Sequence, residues 1–243
     1  MRQLIHFIPI ATTLIALVFA WIVFSRWRER RSGPHLLWWS AGILLYGVGT
    51  FTEGLTTLFG WSEPIFRAWY ISGALLGGVP LAQGTVYLLS KRRTADILTA
   101  IIAPVILVAS VCVLLTPIDV SLVEAYRLSG RVMEWQWVRA FSPFINTYAF
   151  IFLVGGAAVS AVRFSRKKAT YNRFVGNVLI AVGALLPGIG GTATRFGYTE
   201  ALYVGEFAGI ILIFIGYHWN VRGRPAGRQV VPRIHVQNPV VSS

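Results

Sequence analysis

The sequence predicts an all-α, polytopic integral membrane protein that forms a bundle of seven transmembrane helices. Three observations support this prediction: long apolar runs, a deficit of charge, and an uneven distribution of basic residues. Charged residues make up 13% of the 243 residues and hydrophobic residues 55%, whereas a soluble chain carries about 25% charged residues. The composition therefore excludes a disordered chain and an ordinary soluble domain.

The apolar runs define the helices in chain order. A membrane-spanning helix needs about 20 mostly apolar residues, and seven stretches of the sequence have about this length. They are Leu4–Phe24, Leu36–Phe59, Ile65–Leu89, Thr94–Leu115, Ala140–Val162, Phe174–Gly191 and Ala201–Trp219. We expect residues 1–219 to form one bundle, and residues 220–243, rich in Arg and Pro, to form a basic, flexible cytoplasmic tail.

The basic residues predict the orientation. Successive loops of such a bundle alternate sides, and sixteen of the 22 Lys and Arg residues fall on one side, after the first, third and fifth helices and in the tail. Because basic residues concentrate in cytoplasmic loops, we expect the N-terminus outside and the C-terminus in the cytoplasm. These residues would contact the anionic inner leaflet, at about 1 kcal/mol each, so nucleic acid is not an expected partner. The expected location is a cell membrane, by default the cytoplasmic membrane of a prokaryote.

Small residues and prolines indicate where helices approach each other. The patterns Gly73–Gly77 and Gly205–Gly209 are GxxxG motifs, which allow close backbone contact in lipid, and we interpret them as packing seams. Pro80 and Pro187 support an alternative, in which kinked helices open a cavity like those of transporters.

Two acidic residues inside the apolar stretches are the main functional candidates. Glu53 and Glu206 lie about 8–9 Å from the predicted outer ends of their helices, at 1.5 Å per residue, and intramembrane ionisable residues are costly and often functional. Polar residues of the same outer half could complete an outward-open vestibule. The candidate ligand-binding residues are Tyr46, Thr50, Glu53, Arg67, Asn146, Tyr148, Arg195 and Glu206.

A purely structural role for the two carboxylates is the alternative. Arg67 is then the expected partner of Glu53 and Arg195 that of Glu206, with Tyr or Thr hydroxyl groups as other partners. In either case we expect both carboxylates to face the bundle interior, because a carboxylate in contact with lipid is costly.

The sequence lacks the common catalytic and metal-binding patterns. It has no HExxH, CxxC, GxSxG or Walker motif, so we expect no catalytic residue, no metal site and no cofactor. Its three lysines lie in predicted inner loops, which excludes a buried lysine that could bind retinal. Helix number and orientation are those of rhodopsins and G-protein-coupled receptors, but no motif of either family is present.

Three functions are compatible with these features. The first is a receptor-like or sensory module that detects a small molecule or lipid in the vestibule and acts on a separate cytoplasmic or membrane partner protein. The second is a small transporter of a solute or lipid that uses Glu53 and Glu206. An intramembrane enzyme is the least favoured, because no nucleophile, metal or cofactor motif supports it.

Overall fold

A computed structural model describes residues 4–30, 33–165, 170–194 and 196–222. The predicted tail from residue 223 onwards and the candidate Arg195 lie outside these residues. The described chain forms nine α-helices: α1 Ile8–Arg30, α2 Pro34–Phe59, α3 Glu63–Trp69, α4 Val79–Leu89, α5 Arg92–Leu115, α6 Phe141–Ala149, α7 Gly156–Ser165, α8 Tyr171–Thr194 and α9 Thr199–Arg222.

Two pairs of these helices are halves of longer segments. A π-helix, Tyr70–Leu75, continues from α3 and is followed by a bend before α4, and a second π-helix, Phe150–Gly155, joins α6 to α7. The described residues therefore form seven helical segments, which we number 1 to 7 in chain order. The predicted boundaries agree with them to within a few residues.

Six of the segments are long and apolar enough to cross a membrane. They are Leu4–Glu29, Glu63–Leu89, Arg92–Leu115, Gln136–Ser165, Tyr171–Thr194 and Thr199–Arg222. The remaining segment, α2, has 26 residues, about 39 Å at 1.5 Å per residue, but its Gly, Thr and Trp residues make it less apolar. The predicted all-α class is confirmed, and six to seven helices are long and apolar enough to span a membrane, consistent with the predicted multi-pass architecture.

The segments contact each other in a ring. Segment 1 packs on segment 2, segment 2 on segment 3, segment 3 on segment 5, and segments 5, 6 and 7 follow in order, with segment 7 returning to segment 1. Segment 4, which is α5, lies outside this ring against segments 3 and 5. The α1, α2 and α9 helices are therefore mutual neighbours, which places Glu53 and Glu206 on adjacent elements.

The two ends of the bundle differ in character. We call the end that carries residues 116–140 the cap end, because this connection folds over it with three short 3₁₀ turns and a β-bridge between Ile118 and Met133. Val132, Met133 and Val138 of this connection are buried to 1% exposure or less. The opposite end, where α1 and α9 finish and α5 begins, carries most of the described Lys and Arg residues, and we call it the basic end.

Glycine residues determine the closest helix contact, between α8 and α9. A Cβ atom on Gly183 would lie 2.7 Å from the carbonyl oxygen of Gly209, and one on Gly176 would lie 2.7 Å from that of Gly216. The carbonyl oxygen of Leu186 is as close to Gly205. The predicted seam at Gly205–Gly209 is therefore a backbone contact with α8, of the kind that small residues permit.

The interruption of segment 3 involves Pro80 differently from the prediction. Pro80 does not kink a continuous helix but lies in the first turn of α4, where its missing N–H needs no partner. The preceding break exposes main-chain carbonyls, and Asn146 donates a hydrogen bond of 3.0 Å to that of Ala74. Pro187 lies inside α8, which remains one helix.

Candidate functional site: a buried carboxyl pair below a polar cavity

Glu53 lies inside the bundle on α2. Its residue exposure is 3%, and its Oε1 atom accepts a hydrogen bond of 2.9 Å from the indole N–H of Trp69. Trp69 ends α3 directly before the π-helix, and π-helical turns often occur at functional sites. The expectation that Glu53 faces the interior is confirmed.

The carboxyl group of Glu206 on α9 lies within hydrogen-bonding reach of the Glu53 carboxyl group. The Glu206 residue is partly exposed, but its Oε2 atom is buried, as is Oε2 of Glu53. Neither Oε2 atom accepts a hydrogen bond from a donor in the described parts of the chain. The two acidic residues therefore form one site, which we call the carboxyl pair.

Hydroxyl groups fix the helices around the pair. The phenol of Tyr46 donates a hydrogen bond of 2.8 Å to the main-chain carbonyl of Glu206, which ties α2 to α9. One turn beyond Glu53, the Thr57 hydroxyl donates one of 3.1 Å to the carbonyl of His6. Tyr46 and Thr57 of α2 thus contact α9 and the N-terminal turn.

A polar cavity of about 330 Å³ opens at the cap end. The N-terminal turn, the cap and the start of α9 form its walls. Its lining residues are His6, Glu124, Ala125, Tyr126, Arg127, Thr199, Glu200 and Tyr203. Two ion pairs cross this lining, Arg127–Glu124 at 3.2 Å and His6–Glu200 at 3.9 Å.

Tyr203 connects the cavity with the carboxyl pair. It lines the cavity and is 5% exposed. It precedes Glu206 by three residues, which places both side chains on one face of α9, and its ring centroid lies 6.2 Å from that of His6. Cavity, tyrosine and carboxyl pair therefore form one polar column that begins at the cap end.

An apolar layer closes this column towards the basic end. Ile210 follows Glu206 by one helical turn and Ile43 lies ten residues before Glu53, and each is 1% exposed. Beyond them, the ring of Phe19 packs on those of Phe214 and Tyr217, with centroids 4.8 and 5.4 Å apart. Among the described residues, the side chains on the basic-end side of the pair are therefore apolar or aromatic and tightly packed.

The chemistry of the pair follows from its charge. Two unit charges 4 Å apart repel by roughly 4 kcal/mol at an effective dielectric constant of 20, a large fraction of a typical unfolding free energy of 5–15 kcal/mol. Two ionised carboxylates in contact are therefore unfavourable unless a positive charge lies between them. The site is suited to holding such a charge.

Arg67 does not pair with Glu53, and this expected pair is wrong. Its guanidinium group bonds Glu63 at 2.6 Å and donates to the main-chain carbonyls of Val113 and Thr116 at the end of α5. Glu63 is one turn away on the same helix and its side chain is exposed, whereas Glu53 lies on another helix. The expected pair of Arg195 and Glu206 lies outside the described residues.

Three further candidates do not contact the carboxyl pair. The Thr50 hydroxyl lies 2.9 Å from that of Thr13 in the α1–α2 interface, and Asn146 binds the interrupted segment 3. The phenol of Tyr148 donates a hydrogen bond to Oε1 of the fully buried Gln83. Their contacts connect helices, and among the candidates that the structure describes only Tyr46, Glu53 and Glu206 converge.

Trp69, Tyr203 and the charged residues of the cavity were not among the predicted site residues. Trp69 lies sixteen positions after Glu53, across the short connection between α2 and α3. Tyr203 precedes Glu206 by three residues, and this spacing places both side chains on one helix face. The contributions of His6 and Arg127 depend on the folding of the N-terminal turn and the cap, which no local pattern predicts.

Comparisons of the chain with protein-family models, with curated proteins and with solved structures find no match.

Proposed function

We propose that this chain is a receptor-like membrane module whose polar column is a ligand site open to the cell exterior. One observation carries the proposal: the buried contact between Glu53 and Glu206 lies below a polar cavity at one end and above an apolar layer at the other. A site with one-sided access is suited to detecting a ligand rather than to conducting it. The cell membrane, with its anionic inner leaflet at the basic end, is the proposed location.

The contacts of the pair suggest how binding would be relayed. Glu53 and Trp69 belong to segments 2 and 3, and Glu206 belongs to segment 7, so a ligand at the pair would contact three segments at once. A change in their relative position would reach the basic end through α2 and α9. We propose that a separate cytoplasmic or membrane partner protein detects the change there.

A small transporter is the second candidate, and the interruption of segment 3 favours it. The interruption starts next to the pair, because the π-helix Tyr70–Leu75 directly follows Trp69, and it ends in the bend before Val79–Leu89. Discontinuous helices form the substrate sites of many transporters. A transporter must expose the pair to the basic end in part of its cycle, and a receptor need not.

Cysteine accessibility from each side distinguishes the two functions. In a Cys112→Ala background, we expect Tyr203→Cys to react with an impermeant thiol reagent applied at the cap end and not at the basic end. Ile210→Cys, in the apolar layer, should react from neither side. Labelling of either cysteine from the basic end would favour transport, and failure of Tyr203→Cys to react from the cap end would contradict the open column.

A further inference from the structure

The carboxyl pair has acceptor atoms that no described group fills. Oε2 of Glu53 and Oε2 of Glu206 are buried and accept no hydrogen bond within the described ranges, and Glu53 itself is 97% buried because its exposure is 3%. Buried polar atoms in folded proteins nearly always have a partner. The pair also needs a positive charge, because two negative charges in contact would repel each other.

In the described part of the chain, the elements packed around the pair supply no positive charge to it. From segment 3, Trp69 donates one neutral N–H, and Tyr46 on α2 donates to a main-chain carbonyl. The α9 helix contributes the phenol of Tyr203, and α1 carries no charged residue between Ile8 and Ser25. No ion pair in the described part of the chain includes Glu53 or Glu206.

Within the described ranges, the ionic groups next to Tyr203 belong to the cavity. Arg127 pairs with Glu124, and its guanidinium group also donates a hydrogen bond of 3.1 Å to the carbonyl of Thr194 at the end of α8. His6 lies 3.9 Å from Glu200. These contacts hold the Arg127 guanidinium group and the His6 imidazole at the cavity, which Tyr203 also lines.

We propose that Glu53 and Glu206 together bind one positive charge that arrives through the cap cavity, either an exchangeable proton or a small monovalent cation. A proton would bridge the two carboxyl groups, one of which then donates to the other. A cation would occupy the same position and accept oxygen ligands from both groups. Either the proton or the cation would give both free oxygens a partner and reduce the charge of the pair from −2 to −1.

The donor set favours a single positive charge over a divalent metal ion. Ca²⁺ requires six to eight oxygen ligands and Mg²⁺ near-ideal octahedral coordination. Within the residues that the structure describes, no group of three or more His, Cys, Asp and Glu side chains could hold a metal ion. Two carboxyl groups with one N–H donor suffice for a proton or a weakly coordinated monovalent ion.

This inference names the ligand class of the proposed module and rests on the proposed function only for the side of entry. Binding of the charge is measurable on the purified full-length chain in detergent, where sidedness plays no part. One-sided cysteine labelling without charge binding would overturn the inference and leave the module proposal intact. Charge binding with labelling from both sides would instead support the inference and contradict the module proposal.

The test measures the thermal unfolding midpoint against pH and cation. The folded pair holds a positive charge that two separated carboxylates of the unfolded chain do not, so raising the pH with only a bulky organic cation present should lower the midpoint. We expect a decrease on the order of 5 °C between about pH 5 and about pH 8. Sodium chloride at the higher pH should restore the midpoint if the source is a small cation and have no effect if it is a proton.

Substitutions identify the groups responsible. Glu53→Gln and Glu206→Gln should each abolish this dependence on pH or cation, because one carboxylate no longer needs compensation. Glu63→Gln removes an exposed, ion-paired carboxylate outside the cavity and should leave it intact. A dependence that persists in both Glu53→Gln and Glu206→Gln, or its absence from the unsubstituted protein, would overturn the proposal.

Infrared spectroscopy of the unsubstituted protein tests the proposal if the variants fail to fold. A bridging proton gives the carbonyl stretching band of a buried carboxylic acid, which should disappear at alkaline pH. A bound cation gives no such band but should shift the carboxylate bands when sodium replaces the bulky cation. Absence of both signals would overturn the proposal.

Discussion

The guanidinium group of Arg67 stabilises the end of a neighbouring helix rather than a carboxylate in the bundle. Its side chain is 15% exposed, and it donates to the carbonyls of Val113 and Thr116, which lie at the end of α5. The last carbonyls of a helix lack intrahelical donors and carry partial negative charge. Arg67, which donates to two of these carbonyls, therefore stabilises the end of α5, the helix that lies outside the ring.

Replacement of Arg67 tests this role. We expect Arg67→Met to lower the unfolding free energy by about 2–3 kcal/mol, because two carbonyls lose a charged donor. Glu63→Gln is the matched control and should cost only about 0.3–0.5 kcal/mol, since it removes an exposed pair within one helix turn. Thermal unfolding in detergent measures both, and equal losses would show that the ion pair, not the helix end, matters.

The position of each acidic residue within an apolar stretch could be read from the sequence. The group that each residue contacts could not be predicted in this way. A partner depends on how each helix is rotated and on which competing group is nearer. For Arg67, Glu63 lies one turn away, whereas Glu53 lies on another helix and meets Trp69 and Glu206.

At the scale of the elements, the glycines of α8 and α9 differ sharply in what surrounds them. A Cβ atom on Gly183 would lie 2.7 Å from a backbone oxygen of α9, whereas one on Gly188 would meet nothing within 4 Å. Both residues lie in the same helix. Their positions therefore separate the effect of close packing from the general cost of glycine in a helix.

Alanine at these two positions should have opposite effects. We expect Gly183→Ala to destabilise the protein by about 1–3 kcal/mol, because the added methyl group forces the two backbones apart. Gly188→Ala should stabilise it by up to about 1 kcal/mol, through the higher helix propensity of alanine. Thermal unfolding midpoints measure the difference, and a loss of equal size in both variants would contradict the seam.

Hydropathy predicted where segments begin and end, but not where they are interrupted. The expected Leu36–Phe59 and Thr94–Leu115 lie within the helices Pro34–Phe59 and Arg92–Leu115. The π-helix Tyr70–Leu75 and the cap depend instead on contacts between distant residues. Asn146 binds the carbonyl of Ala74, and the main-chain N–H of Trp61 donates to the carbonyl of Ala125 at 2.7 Å.

At the scale of the whole molecule, most of the described basic residues lie at one end of the bundle. Segments alternate in direction, so the ends of α1, α7 and α9 and the start of α5 meet at the basic end. The cap end instead carries carboxylates, among them Glu63, Glu124 and Glu200, several of them paired with Arg or His. An anionic membrane surface would attract the basic end, at about 1 kcal/mol per nearby Lys or Arg.

Labelling of paired cysteines tests the orientation. In a Cys112→Ala background, Ser121→Cys places an exposed thiol on the cap, and Ser165→Cys places one at the basic end of α7. Because basic loops remain cytoplasmic, we expect an impermeant maleimide added to intact cells, with any outer envelope made permeable, to label Ser121→Cys only. Ser165→Cys should react only after the membrane is opened, and a reporter fused after Ser243 should be cytoplasmic. Since both variants exchange exposed serines, a difference in labelling reflects sidedness rather than thiol reactivity, and the reverse pattern would place the cap and the proposed ligand site inside the cell.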